Sequence, residues 1–239
     1  MKRVVFLLVL LLLPARAIAA AETCPAPAQP PATTEAAIKR GHEERFAAKI
    51  DGIEDQLRSQ SFPAIALGDS IMQRWPHDML SEAMGMATVD AGVGGDTTES
   101  TLWRLDHMDW SRQSPRFVLI LIGTNDGGHF GGCDVYWGIR AVVSKAHQIF
   151  PKASLIVTSI LPRGDNMLQR DADISTTNKA LRGAAATAGF DFFDVHDAFL
   201  CNHQTACDLV VPPTNVHPTR KGYELMGGRL HKFVASLPQ

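Results

Sequence analysis

The sequence predicts an α/β protein built on a parallel sheet covered by helices on both faces. Two observations carry this. Five short apolar runs lie along the chain, and helical stretches separate them. The clearest run, "FVLILIG" at Phe117–Gly123, is apolar at every position. Strict alternation marks a sheet with one wet face, whereas a continuous run marks a strand buried on both. Strands alternating with helices imply parallel pairing with helical crossovers.

The elements follow in order. "MKRVVFLLVLLLLPARAIAA" opens with Lys2 and Arg3, then an unbroken apolar run from Val4 to Leu13, then the small-x-small site Ala17-Ile18-Ala19. This pattern predicts a secretory signal peptide over 1–19. The run is short for a membrane span, which takes about 20 apolar residues. Cleavage after Ala19 leaves 220 of the 239 residues, enough for one domain with a full core. Lys2, Arg3 and Arg16 leave with the signal, so the net charge falls from −2 to −5. An acidic chain without a basic run is a poor nucleic-acid binder. Expected locations are the periplasm or the medium, with no stable membrane span after cleavage.

Residues 20–34 are rich in Pro and Ala and read as an extended linker, leaving 35–239 as the single domain. A first helix is expected from about Glu35 to Gln60, with Phe46, Ile50, Ile53 and Leu57 as its apolar stripe. The strand candidates are Ala64–Leu67, "MATVDA", Phe117–Gly123, Ser154–Ile160 and Phe190–Val195. Helices are expected near Thr98–Met108, Asp134–Phe150, Asp171–Ala188 and Thr219–Ser236.

Export makes disulfides permissible. Cys24, Cys133, Cys201 and Cys207 allow three pairings. Cys201–Cys207 is the natural local loop, which leaves Cys24–Cys133. Reading Cys201, His203 and Cys207 as a metal cluster is disfavoured, because zinc sites prefer tighter Cys pairs and a fourth ligand.

In a parallel sheet, ligands bind beyond the C-terminal ends of the strands. After the first strand comes "GDSIMQRW", where Ser70 either caps a helix or offers a nucleophilic hydroxyl at the sheet rim. After the second comes "DAGVGGDTTES", whose glycines let backbone approach a ligand; Gly95 is a candidate N–H donor. The loop lacks the G-x-G-x-x-G of a dinucleotide site. After the third comes "GTND". Asn125 is either a turn residue or an uncharged side-chain donor suited to an oxyanion hole. His217 stands in the loop before the last helix. Nucleophile, two donors and a base are the set acyl transfer needs. No GxSxG elbow occurs, which argues against an ordinary α/β-hydrolase site.

These four blocks resemble those of the SGNH (GDSL-type) hydrolase family: "GDSIMQRW", "GVGGDTT", "GTND" and "VHPTRKGY". "HEERF", "GDTTESTLWRL" and "LPRGD" are further similar to the branch of platelet-activating-factor acetylhydrolase catalytic subunits and related bacterial esterases. The resemblance implies a flavodoxin-like, three-layer α/β/α fold of about five parallel strands. It implies hydrolysis of esters or thioesters through an acyl-enzyme, with no metal and no cofactor. Ser70 would be the nucleophile and His217 the base. Gly95, Asn125 and the Ser70 N–H would hold the oxyanion.

One position departs from the family. An aspartate usually stands three residues before the histidine, and Thr214 occupies that place. Backbone carbonyls near Thr214–Asn215 could hold the imidazole, Asp208 could reach it, or the site could only bind. Asp69 is expected to brace the turn instead. The expected activity is hydrolysis of short, acetyl-type esters on carbohydrate or lipid. The alternatives are acetyl transfer to polysaccharide on the same residues and a non-catalytic glycan-binding protein.

Overall fold

A computed structural model of the chain describes residues 23–35, 46–200 and 208–238. The expected signal peptide lies outside them, as do Cys201, His203 and Cys207. Five parallel strands form one sheet: β1 (Ala64–Gly68), β2 (Thr88–Gly92), β3 (Phe117–Leu121), β4 (Ser154–Thr158) and β5 (Phe190–Phe193). Their order is β2-β1-β3-β4-β5. This is the flavodoxin-like order, and its switch point lies where β2 and β3 diverge on either side of β1.

The helices are α1 (Ala47–Ser59), α2 (Ser70–Gln73), α3 (His77–Met84), α4 (Thr98–His107), α5 (Gly132–Ile149), α6 (Asp171–Ala188) and α7 (Arg220–Ser236). Side chains alternate across the strands and so sort the core into two layers. Ile65 and Leu67 of β1 and Val118 and Ile120 of β3 pack with α1, α4, α5 and α6. Ala64 and Ala66 of β1 and Leu119 and Leu121 of β3 face α2, α3 and α7. Full burial of each such aliphatic side chain contributes about 1.5–3 kcal/mol. The architecture is the expected three-layer sandwich.

Strand positions fall within two residues of those expected, and β3, β4 and β5 each end two residues sooner, at Leu121, Thr158 and Phe193. The expected first helix is present over Ala47–Ser59, and its expected stretch over 36–45 lies outside the described residues. The short α3 was not foreseen; Pro76 precedes it and Gly85, at φ +67°, ends it.

The Pro/Ala-rich stretch is tied down within its described part. Thr33 is fully buried and its hydroxyl donates to Asp134 O at 2.6 Å. Trp137 Nε1 donates to Pro25 O at 3.2 Å. Cys24 and Cys133 form a disulfide across a separation of 109 residues. Gly138 makes the approach of this segment feasible, since a Cβ there would lie 2.7 Å from Thr33 Cβ. Among the described residues, no helix is long and apolar enough to cross a membrane.

Candidate active site

The C-terminal ends of β1, β2 and β3 converge with the loop before α7. Ser70 is the first residue of α2, not its cap. Asp69 is the cap, and its Oδ1 accepts from Ile71 N at 2.8 Å. The Ser70 hydroxyl is thereby left uncommitted to its own helix. It lies half-buried at the rim. Close packing holds α2 to the strand ends. A Cβ on Gly68 would sit 2.4 Å from Leu121 O, and one on Gly92 2.5 Å from Gln73 N.

His217 is presented by a short closed loop. Val210 and Pro218 form an antiparallel bridge. Val211 N donates to His217 O at 2.8 Å, and Thr219 N to Leu209 O at 2.8 Å. Thr219 then caps α7 through Gly222 N. Gly222 must be small, because a Cβ there would lie 2.3 Å from Leu209 O. Tyr223, one residue on, donates its hydroxyl to Ile71 O at 2.7 Å. That bond joins α7 to α2 and so fixes His217 relative to Ser70. Ser70 Oγ and His217 Nε2 lie 2.9 Å apart. Donation from the hydroxyl to Nε2 requires the Nδ1–H tautomer.

The second and third blocks close the site. Val93 to Asp96 form a turn closed by Asp96 N donating to Val93 O at 3.1 Å. Gly95 sits in it at φ +81°, a backbone conformation that favours glycine, and is exposed. Gln73 Oε1 accepts from Gly94 N at 2.5 Å and ties this turn to α2. Asn125 Nδ2 donates to Asp96 O at 2.8 Å. A primary amide carries two N–H bonds, so one is used to orient Asn125 and the second remains for a ligand. Thr97 caps α4 by accepting from Ser100 N. Asp126 accepts from Thr98 N at 3.0 Å and packs the start of α4 against the third block. A groove of about 610 Å3 opens beside Ser70, Asn125 and His217.

Neither residue named for orienting the imidazole is hydrogen-bonded to it. The Asp208 carboxylate pairs with Lys221 Nζ on the exposed start of α7. Thr214 is exposed, and its carbonyl accepts from Gly164 N at 3.3 Å. Asp208 is drawn off by Lys221, and the Thr214 carbonyl is taken by Gly164. Among the described residues, no carboxylate is hydrogen-bonded to His217. Burial holds the His217 pKa below its ordinary value, and the positive charges of Arg74 and Arg163 push the same way.

Four contributors escaped the sequence reading. Arg104, Gln73 and Tyr223 bind backbone or buried groups that only the tertiary fold brings near. Arg163, in the "LPRGD" stretch, lines the groove. Among the described residues, no group of three or more His, Cys, Asp or Glu is arranged to hold a metal ion.

Asp69 is fully buried, and burial pushes its pKa up to about 7 from 3.8. A raised folded-state pKa means that proton uptake favours the fold. That contribution is complete below about pH 4 and is lost as pH rises through about 7. Asp69→Asn keeps an acceptor for Ile71 N and removes the titration. Its Tm relative to wild type is expected to rise by roughly 5–10 °C between pH 4 and pH 8. A pH-independent gap in thermal melts would refute this.

Comparison with known proteins gives a consistent picture. The sequence profile of the family described as "GDSL-like Lipase/Acylhydrolase family" matches residues 66–225. The alpha1 subunit of platelet-activating factor acetylhydrolase IB from Rattus norvegicus is 28% identical over 183 residues, covering 72% of this chain and 75% of that one. The alpha2 subunit from the same organism is 24% identical over 214 residues, covering 87% and 91%. Among solved structures, a GDSL-like lipase from Bacteroides thetaiotaomicron superposes with TM-score 0.62 at 19% identity, covering 80% and 96%. A variant of an acetyl-xylooligosaccharide esterase from Geobacillus superposes with TM-score 0.60 at 16% identity, covering 74% and 95%. At those identities the structural likeness speaks for the fold.

Proposed function

The chain belongs to the GDSL-like lipase/acylhydrolase family and is an ester hydrolase, and from that premise we propose an exported serine esterase for short, acetyl-type esters of carbohydrate or lipid. The observation that carries the catalytic part is the 2.9 Å contact between Ser70 Oγ and His217 Nε2 at the rim of the groove. Ser70 Oγ attacks the acyl carbon as His217 Nε2 takes its proton. The oxyanion forms against Ser70 N, Gly95 N and the second Asn125 N–H. The imidazolium then gives its proton to the departing alcohol. Water, deprotonated by His217, attacks the acyl-Ser70 ester, and the acid leaves. A depressed pKa keeps His217 in its basic form at lower pH than an ordinary imidazole.

Acetyl as the acyl group is supported by the names of the relatives, acetylhydrolases on one side and an acetyl-xylooligosaccharide esterase on the other. Export to the periplasm or medium is supported by the signal-like N-terminus and by the Cys24–Cys133 disulfide, which suits an oxidising compartment.

The test pairs a fluorophosphonate label with an acyl-chain series. One adduct per chain is expected, mapped to Ser70. On p-nitrophenyl acetate, butyrate and decanoate, kcat/KM is expected to fall by about tenfold or more from acetate to decanoate. A label on another residue would overturn the assignment, and fastest turnover of decanoate would overturn the short-chain preference. Recovery of the exported protein with Ala20 as its first residue would bear on export; an intact Met1 terminus in the cell interior would sink it.

A further inference from the structure

We propose that the groove takes an ester bearing an anionic group, carboxylate or phosphate, seated on the Arg163 guanidinium, with the Arg74 charge acting on the same histidine. This rests on the esterase reading and names the substrate class for the same site.

Arg163 follows β4 and lines the groove together with Ser70, Asn125 and His217. Its guanidinium is held by neutral acceptors only. Nη1 donates to Thr124 O at 2.8 Å and Nε to Gln169 Oε1 at 3.2 Å. Both bonds fix the plane of the group without cancelling its charge. Seven residues on, Arg170 shows the ordinary arrangement, with Asp173 at 2.8 Å. Arg163 has no such carboxylate among the described residues. Among the described residues the lining contains one acid, Asp165, and it makes no ion pair with Arg163. Arg74, at the end of α2, is exposed and likewise has no ion pair among the described residues.

An oriented, half-buried guanidinium is the side chain best matched to a carboxylate or phosphate, which it grips through two parallel N–H bonds. Partial burial makes the attraction stronger than at an open surface. The charge also bears on the chemistry. Arg74 and Arg163 oppose protonation of His217, and among the described residues no carboxylate is hydrogen-bonded to the imidazole to offset them. An anion seated on Arg163 would offset them from the substrate side and stabilise the imidazolium formed during attack. The reaction remains ester hydrolysis: the acyl–oxygen bond breaks and water supplies the new one.

The experiment compares 4-acetoxybenzoate and 4-acetoxyphenyl phosphate with neutral methyl 4-acetoxybenzoate. The ratio of kcat/KM, anionic over neutral, is read in wild type, Arg163→Gln, Arg163→Lys and Arg74→Gln. Taking the ratio cancels any general loss of activity and compares each ester's intrinsic reactivity across variants. Arg163→Gln is expected to lower it about tenfold, which corresponds to about 1.4 kcal/mol. Arg163→Lys should keep most of it, and Arg74→Gln should lower it about threefold. Raising the salt should reduce the wild-type ratio and move that of Arg163→Gln less. A response confined to the benzoate points to an acidic sugar as the natural source of the charge; one confined to the phosphate points to a phosphate-bearing alcohol. A ratio unchanged in both Arg163→Gln and Arg74→Gln overturns the proposal. Should Arg163→Gln not fold, Arg74→Gln and the wild-type salt series decide. Fluorophosphonate labelling of Ser70 on the same preparations separates the two failures. Labelled protein with a flat ratio loses only the anion seat, and unlabelled protein loses the esterase reading itself.

Discussion

Ser70→Ala is expected to lower kcat for p-nitrophenyl acetate by about 10³-fold, and His217→Ala by a similar factor. Oγ and Nε2 are 2.9 Å apart, so the two groups work as one unit. The alanine variant loses the proposed nucleophile, and the histidine variant loses the proposed base in contact with it. The double variant is therefore expected to be no slower than either single one. Complete serine triads lose about 10⁶ in such experiments. The drop here should be smaller, because no carboxylate among the described residues orients His217 and the starting rate already lacks that help. Losing the acid from a triad costs about 10⁴. Residual turnover comes from Asn125 and the backbone donors, which both substitutions leave in place. Steady-state rates on preparations counted by folded concentration would decide. Retention of more than about a tenth of wild-type turnover in Ser70→Ala would sink the nucleophile assignment. Losses that multiply in the double variant would show two independent roles rather than a pair.

What could be read from the sequence divides along a physical line. β3 was plain because a strand buried on both faces has no polar positions to dilute its pattern, and Phe117–Leu121 is buried throughout. The blocks bearing Ser70, Asn125 and His217 were legible because a parallel sheet places loop residues at one rim whatever their spacing along the chain. The short α3 carried too few apolar repeats to declare a period. Arg104 gave no signal in the sequence; its partners are the Asp96 carboxylate and carbonyls of two different strands. Gln73 and Tyr223 were hidden in the same way, since each reaches a backbone atom of another element. The choice among Thr214, Asp208 and neither needed coordinates, because Lys221 and Gly164 compete for those groups. Local pattern reports on burial and turns. It does not report which distant backbone group a long side chain will meet.

Arg104→Met is expected to destabilise the fold by about 3–5 kcal/mol, roughly a 10 °C loss in Tm for a domain of this size. Arg104 is 2% exposed and Asp96 fully buried. The guanidinium donates to Asp96 Oδ2 from Nε at 2.8 Å and Nη2 at 2.5 Å. It also donates to Ala91 O at 2.8 Å and, more loosely, to Gly68 O at 3.4 Å. One side chain thus ties the ends of β1 and β2 to the turn that carries Gly95. Met replaces the volume but removes the positive charge opposite the buried Asp96 carboxylate, which lies near Asp69 and Asp126, buried as well. Breaking one side of a buried pair is costly for that reason, whereas removing both sides can be nearly neutral. Asp96→Asn combined with Arg104→Met is therefore expected to recover more than half of the lost stability in urea unfolding. Activity should not recover with it. Asn125 is oriented by the carbonyl of Asp96, and that carbonyl is placed by the turn Arg104 holds. A double variant that regained stability yet stayed at least about tenfold slow would locate the role of Arg104 in aiming the oxyanion donors. Full recovery of both would confine it to the core, and a cost under about 1 kcal/mol for Arg104→Met would show that the buried pair does not hold the rim.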